Sequence, residues 1–354
     1  RTVDENGQLL PWFNRYGTLV PGSGDQLVMN YNFRPVMTED PDNMLPVYRP
    51  ENYDSAQFQF LADFLAIRPD VRIWDLVGRY RRGNGKFEYN NQQNALVSLG
   101  MFGGNAGYTE GDYKTRQQIY QAHKDWTLGF LYFLATDSRV PADLQQDALK
   151  AGFAKDEFVR NNHFPYYLYV REGRRMIGEL VQTQHDVFRD RQKAGAVLLR
   201  SHWVDSHHVQ RIALSDSTFT NEGRIWEIVL MPFEVPYSAL VPKQAECANL
   251  LVPVCASFSH VAFCTFRLES TWMQAGHVAG LAAVQALEDG QAVQAIDLPR
   301  LQEQLVAEGM VIEADSVRHY NDYHWMETSE KVKHSYKRMY EEYGVEVAAG
   351  ATSN

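Results

Sequence analysis

Apolar and polar positions alternate along this chain with two different periods, and the periods mark out its elements. Between residues 112 and 136, Ile119, Ala122, Trp126, Phe130 and Phe133 recur at helical spacing, which predicts a long amphipathic helix. His123 and Asp125 fall off that stripe, so His123 reads as a solvated or helix-packing residue. Phe58, Leu61, Ala62 and Leu65 predict a shorter helix over 54–67. Pro141 stands where a further helix would open, ending near Gly152, and 298–309 reads as a short amphipathic helix. Gln26–Phe33 (QLVMNYNF) suits a strand, and Trp226–Met231 is a second β-rich run stopped by Pro232.

The tract from Asn249 to Gly290 carries the densest pattern. Leu250–Cys255 is a short apolar run that predicts a buried strand, and a polar and aromatic connection with Ser259, His260, Arg267 and Glu269 follows it. From Ser270 the spacing turns helical, with Ser270 or Thr271 able to cap the start and Gly290 able to end it. Ala275, Gly276, Ala279, Gly280, Ala282 and Ala283 make this helix one that backbone, sheet or ligand can approach closely. A helix start fed from a strand end also suits an anion. The plain alternative is a core strand and a tightly packed helix.

Size and composition narrow the classes. The chain has 354 residues, 45% hydrophobic and 22% charged, ordinary values for a globular protein with room for two domains. A net charge of -10 argues against a nucleic-acid partner. Three cysteines, without a CxxC pair, make no disulfide framework. No apolar run is long enough to span a bilayer. The first residue is Arg1 rather than Met, so the lack of a visible signal peptide says nothing about compartment.

Several clusters could carry chemistry. Gly83–Asn84–Gly85–Lys86 is no nucleotide loop, because Glu88 stands at the third glycine position and the Walker pattern is absent. Asn90 and Asn91 form either a turn or a grip on a polar substrate. Arg34 lies among aromatics, and Arg171 and Arg175 follow a tyrosine-rich run; guanidinium groups pair well with carboxylate or phosphate, while internal ion pairs are the alternative. His202, Asp205, His207 and His208 offer metal-ligating side chains, but without HExxH spacing or a clear fourth ligand. A histidine titrating near working pH is the better use of that run.

Set in order, these segments resemble a known family. Leu250–Ser257, then Ser259–His260–Val261–Ala262, then Arg267, Glu269, Met273, Gly276, Ala279 and Gly280 are similar to the closing segment of FAD-dependent oxidoreductases with a glutathione-reductase-like flavin fold. Upstream, YNFRPVMT, the Lys86-to-Asn91 element, His123–Pro141, Tyr169–Leu180, the run around Asp205 and His208, and Val235–Lys243 resemble the same family in the same order, over roughly residues 26–312. Cys264 departs from the pattern, standing where the family usually has a glycine.

The resemblance implies an α/β fold, α+β in its middle: a substrate or cap domain over 1–243, the closing strand and helix of an FAD-binding domain over 244–312, and an extension over 313–354 with a disordered end. It implies FAD and hydride transfer between an organic substrate and the flavin, and the aromatics, tandem Asn and arginines suit a polar substrate, sugar-like or carboxylated. In that reading His260 is the first candidate base, with His207 or His208 second, and Arg267 stabilises a developing anion. Ser259, Glu269, Met273, Gly276, Ala279 and Gly280 face the cofactor, and Arg34, Asn90, Asn91, Arg171 and Arg175 face the substrate. No metal is implied. The family's opening strand–GxGxxG–helix unit is not found, so the expected arrangement is the C-terminal part of a longer enzyme, or a subunit whose partner supplies the dinucleotide half. These residues alone are then not expected to hold a flavin firmly. Two other classes compete: a non-catalytic carbohydrate- or polymer-binding module, on the 12% aromatic content, and a metal hydrolase built on His202, Asp205, His207 and His208.

Overall fold

The computed structural model describes residues 1–14, 24–188, 193–229 and 232–314. The expected disordered end and most of the C-terminal extension therefore lie outside the described residues, as do the last two residues of the predicted run Trp226–Met231. The chain forms two compact units, one of residues 1–172 with 207–224, the other of residues 173–206 with those from 225 onward. It passes from one unit to the other three times.

The first unit is built on five antiparallel strands, β1 (Val36–Thr38), β2 (Met44–Leu45), β3 (Val77–Arg81), β4 (Lys86–Asn91) and β5 (Gly152–Ala154), in the order β2-β5-β1-β4-β3. With them pack α1 (Gln59–Ile67), the one-turn α2 (Ile73–Leu76), the long α3 (Tyr113–Thr136) and α4 (Ala142–Leu149). The predicted helices fall where the periodicity puts them. Asp112 caps α3 by accepting from the Thr115 N–H at 2.8 Å, and Pro141 stands just before α4. Trp126, Phe130 and Phe133 of α3 meet Phe58, with the Phe58 and Trp126 rings 5.1 Å apart.

Of the two roles expected for His123, solvated or helix-packing, the structure shows the second: it is fully buried. Its Nδ1 lies 2.8 Å from the Ile119 carbonyl, and its ring packs beside Tyr31. More of α3's circumference is covered than the apolar stripe alone suggests. Gln26–Phe33 is a correction. It is buried from Met29 to Phe33, but only Asn32 makes a bridge, to Tyr169. Its backbone bonds go to scattered neighbours, among them Asn30 N to His208 O, Met101 N to Tyr31 O, Tyr169 N to Asn32 O and Asn105 Nδ2 to Met29 O. A segment threaded among several neighbours satisfies its polar groups without forming a ladder.

In the second unit the chain makes α5 (Gln184–Val187), β6 (Ala196–Arg200) and β7 (Val204–Ser206). It returns to the first unit for the hairpin β8 (Gln210–Ala213) and β9 (Phe219–Glu222), then completes the second with β10 (Ile225–Glu227), antiparallel to β7, and β11 (Phe233–Pro236), antiparallel to β6. Three helices close the described chain: α6 (His260–Phe266), α7 (Glu269–Glu288) and α8 (Leu298–Ala307). The fold is mixed α/β with small sheets, and every ladder between named strands is antiparallel.

The closing tract differs from expectation in three ways. Leu250–Cys255 is not a laddered strand. Pro253 has no N–H to give, Leu250, Val254 and Cys255 are exposed, and bonds from Val252 N to Leu240 O and from Met176 N to Cys255 O hold the segment instead. The expected connection after Ser259 is largely the helix α6. Every residue of it from Ala262 to Phe266 is buried, and Ser259 caps its start. Lastly, α7 begins at Glu269, one residue before Ser270, with Leu268 at its cap position and no side-chain cap; Gly290 follows its end at φ +62° as predicted.

Candidate functional site

The two units gather different sets of candidate residues. In the first, Arg171, Asn90, Asn91, His207 and His208 join one buried network through Asn30 and Asn32. Arg171 is 2% exposed and donates from Nη1 to the Asn30 carbonyl at 2.7 Å and from Nη2 to Asn32 Oδ1. Asn32 donates to Asn90 Oδ1 at 3.2 Å, and Asn30 donates to the His208 carbonyl at 2.6 Å. The Asn91 carboxamide oxygen accepts the Gly100 N–H at 2.8 Å, while its nitrogen lies 3.2 Å from His207 Nδ1. Gly100 is required here, because a Cβ at that position would stand 2.2 Å from Asn30 Oδ1 and 2.6 Å from Asn91 Oδ1. Arg34, half-buried, donates to Glu88 at 2.6 Å and lies over the Tyr169 ring. His208 has its Nε2 3.3 Å from the Gln93 carbonyl and its ring against Phe102. Burial pushes its pKa down to about 4, so it is neutral, and a weak base, at neutral pH.

A smaller and more open constellation surrounds α6 in the second unit. His260 is half-buried at the first position of α6, with Nε2 3.1 Å from Ser206 Oγ and 4.0 Å from Cys264 Sγ. Arg267, at the far end of the helix, is buried; its Nη2 donates to Asp205 Oδ2 at 2.9 Å and to the Asp205 carbonyl at 3.0 Å. Arg175 donates from Nε to the Phe258 carbonyl at 3.0 Å, and Arg200 to the Thr265 carbonyl at 2.7 Å. Burial lowers the pKa of both guanidiniums, that of Arg200 to about 10. His202, also in this unit, is pushed down by burial.

The residues matched to the cofactor lie along α6 and α7. Ser259 is half-buried; Glu269, Met273, Gly276 and Gly280 are exposed; Ala279 turns into the core at 9% exposure. Nothing stands within 4 Å of where a Cβ would be at Gly276 or Gly280. That bare strip of helix, one turn long beside Met273, fits a flat extended group such as FAD lying against the backbone. The helix start fits an anion less well, because Glu269 already places a carboxylate in the first turn. Among the described residues no three His, Cys, Asp or Glu side chains come together as metal ligands. No helix among them is long and apolar enough to cross a membrane.

Asn30, Asn32 and Ser206 are the residues that sequence reasoning missed. The asparagines sit in a run read for its apolar alternation, and Ser206 lies unremarked between Asp205 and His207. Two polar residues inside an otherwise buried segment are a signal for the first pair; Ser206 has none.

Comparison with known proteins adds the family. The model of FAD dependent oxidoreductases matches residues 3–305, and the chain belongs to that family. FAD is accordingly its cofactor. No curated protein and no solved structure matches the chain.

Proposed function

We propose that this oxidoreductase moves two electrons between a polar organic substrate and FAD, with His260 as the group that takes the substrate's proton. FAD, when bound, supplies the two-electron acceptor. Ser259, Met273, Gly276 and Gly280 would lie against it, Gly276 and Gly280 because they leave the backbone of α7 open. Oxidation of an alcohol carbon removes a hydride from carbon and a proton from oxygen, leaving a carbonyl; the imidazole of His260 receives the proton. Arg267 is buried and paired with Asp205, so it acts on a developing oxyanion through its field rather than by contact. Arg175, in the same unit as His260, is the polar group assigned to the substrate side.

The carrying observation is the presentation of His260: a half-buried imidazole, held at one nitrogen by a buried serine, in the same unit as the glycine-marked helix. His208 is buried and low in pKa, and is the weaker base. A metal hydrolase has no ligand cluster to rest on among the described residues. The exposed Tyr166 and Tyr167 favour stacking on a sugar ring, which keeps a sugar-like substrate, or a simple binding module, as the second reading.

The test uses the complete gene product, reconstituted with FAD and mixed without oxygen with a panel of sugars and hydroxy acids. Bleaching of the yellow flavin band by one of them is expected, and His260→Gln should slow it about 10²–10⁴-fold with FAD still bound. A colourless protein that FAD cannot reconstitute would refute the reading, and full-rate bleaching in the variant would remove His260 from it.

A further inference from the structure

Arg200 ends strand β6, opposite Phe233 of β11. Its Nε donates to the Thr265 carbonyl at 2.7 Å. That carbonyl lies in the last turn of α6, where carbonyls lack partners within the helix, so the bond caps the helix end. A cap needs one N–H, and a guanidinium carries five. The four on Nη1 and Nη2 have no partner among the described residues: no carboxylate pairs with Arg200 and no ring faces it there. The side chain is half-buried, and burial pulls its pKa down to about 10 with no acidic group to offset the shift.

Other cations of the same unit are matched. Arg267 has Asp205 as its counter-ion at 2.9 Å, and Arg300 has Glu288 and Asp289. His202, two residues beyond Arg200, is held below its usual pKa by burial and by the Arg200 charge, so it is neutral at pH 7. A guanidinium drawn out of water without a counter-ion is costly unless a ligand brings one. We propose that Arg200 binds a carboxylate of the substrate through its two terminal nitrogens, which makes the substrate a hydroxy acid, sugar acids included, rather than a neutral sugar or alcohol. The planar fork matches two carboxylate oxygens, and one positive charge beside a neutral imidazole suits a monoanion better than a doubly charged phosphate ester. The same seven-residue helix carries His260 at its first position, so the clamp and the proposed base are tied to one short element. That the bound acid is then oxidised rests on the proposed function.

Calorimetry on the complete gene product, with and without FAD, tests the site. Glycerate, gluconate and glucuronate are each titrated beside the uncharged amide, and glycerol phosphate is titrated for comparison. At least one acid should bind about 10–100-fold more tightly than its amide, as a charge-assisted pair allows, and more tightly than glycerol phosphate. Arg200→Gln keeps a donor at the Nε position for Thr265 but has neither charge nor fork, and acid and amide should then bind alike. Arg200→Lys keeps the charge without the fork and should recover part of the preference. A merely structural role would weaken acid and amide equally and leave their ratio unmoved. If neither variant folds, the wild-type ratio decides. Equal affinity within every wild-type pair, tighter binding of glycerol phosphate, or an Arg200→Gln protein that keeps the acid's advantage overturns the inference. An acid that binds through Arg200 but never bleaches the flavin would instead refute the proposed function and leave the carboxylate site standing.

Discussion

Single residues show how burial overrules composition. His123 has an ordinary pKa of 6.5 but is pushed to about 4, because burial makes its charged form costly. The unfolded chain therefore binds this proton at a higher pH than the folded one. Stability from the neutral imidazole is complete above about pH 6.5 and is lost as pH falls toward 4, by about 3 kcal/mol at most. His208 acts in the same window and direction. Urea midpoints measured from pH 7.5 to pH 4.5 should fall, and His123→Gln should flatten that slope. Arg211 is the converse case, a cation kept charged inside. The rings of Phe13, Phe60, Phe102 and Phe219 surround it, its Nε donates to Asn221 Oδ1 at 3.0 Å and its Nη2 to the Leu96 carbonyl. Burial lowers its pKa to about 9. Lysine cannot stack or reach both acceptors, so Arg211→Lys should lower stability by about 2–4 kcal/mol. Arg211→Met, which removes the buried charge and keeps the volume, should cost less. A denaturant titration ranks the two.

At the scale of elements, α7 is the clearest case of a helix whose sequence serves something besides its own stability. Ala275, Val278, Ala279, Ala282 and Ala286 bury one face, while Gly276 and Gly280 leave the other bare. Alanine at an exposed helical glycine stabilises by about 0.5–1 kcal/mol. Gly276→Ala and Gly280→Ala should therefore each raise the melting temperature of the FAD-free protein, and should weaken FAD binding if the bare strip receives the flavin. Higher melting temperature with unchanged FAD affinity would move the cofactor off this face. Helices over 54–67, 112–136 and 298–309 were legible because their apolar faces repeat at the helical period, and the one after Pro141 because proline suits a first turn. Segments 26–33 and 250–255 were not, because an apolar run signals burial and extension but not which neighbour takes its N–H groups. Helix α6 was hidden for a similar reason: seven residues, capped by Ser259, are too few to establish a period.

The whole molecule is organised by a chain that crosses between its units at 172/173, 206/207 and 224/225. Hairpin β8–β9 belongs to the first unit although residues 173–206 intervene. Ala213 joins the main core there, Ile212 bridges Asn14, and Thr2 donates to the Ser215 carbonyl at 2.6 Å. A fragment of residues 1–172 should thus unfold without a cooperative transition by circular dichroism, and rejoining 207–224 through a Gly-Ser linker should restore one. A cooperative melt of the short fragment would show the hairpin to be dispensable.

By itself the sequence determined the mixed α/β character, most of the helices and, through ordered motifs spread along the chain, the family. Those properties depend on local periodicity and residue identity, which a linear string carries. Only the tertiary structure decided which candidates meet. It drew Arg171, Asn90, Asn91 and His207 into one buried network with Asn30 and Asn32, and set His260 against Ser206 from a strand 54 residues earlier. A hydrogen bond between residues so far apart in the chain leaves no periodic trace. It exists because the register of β7 with β10 and the packing of α6 on β7 bring the two side chains to one place.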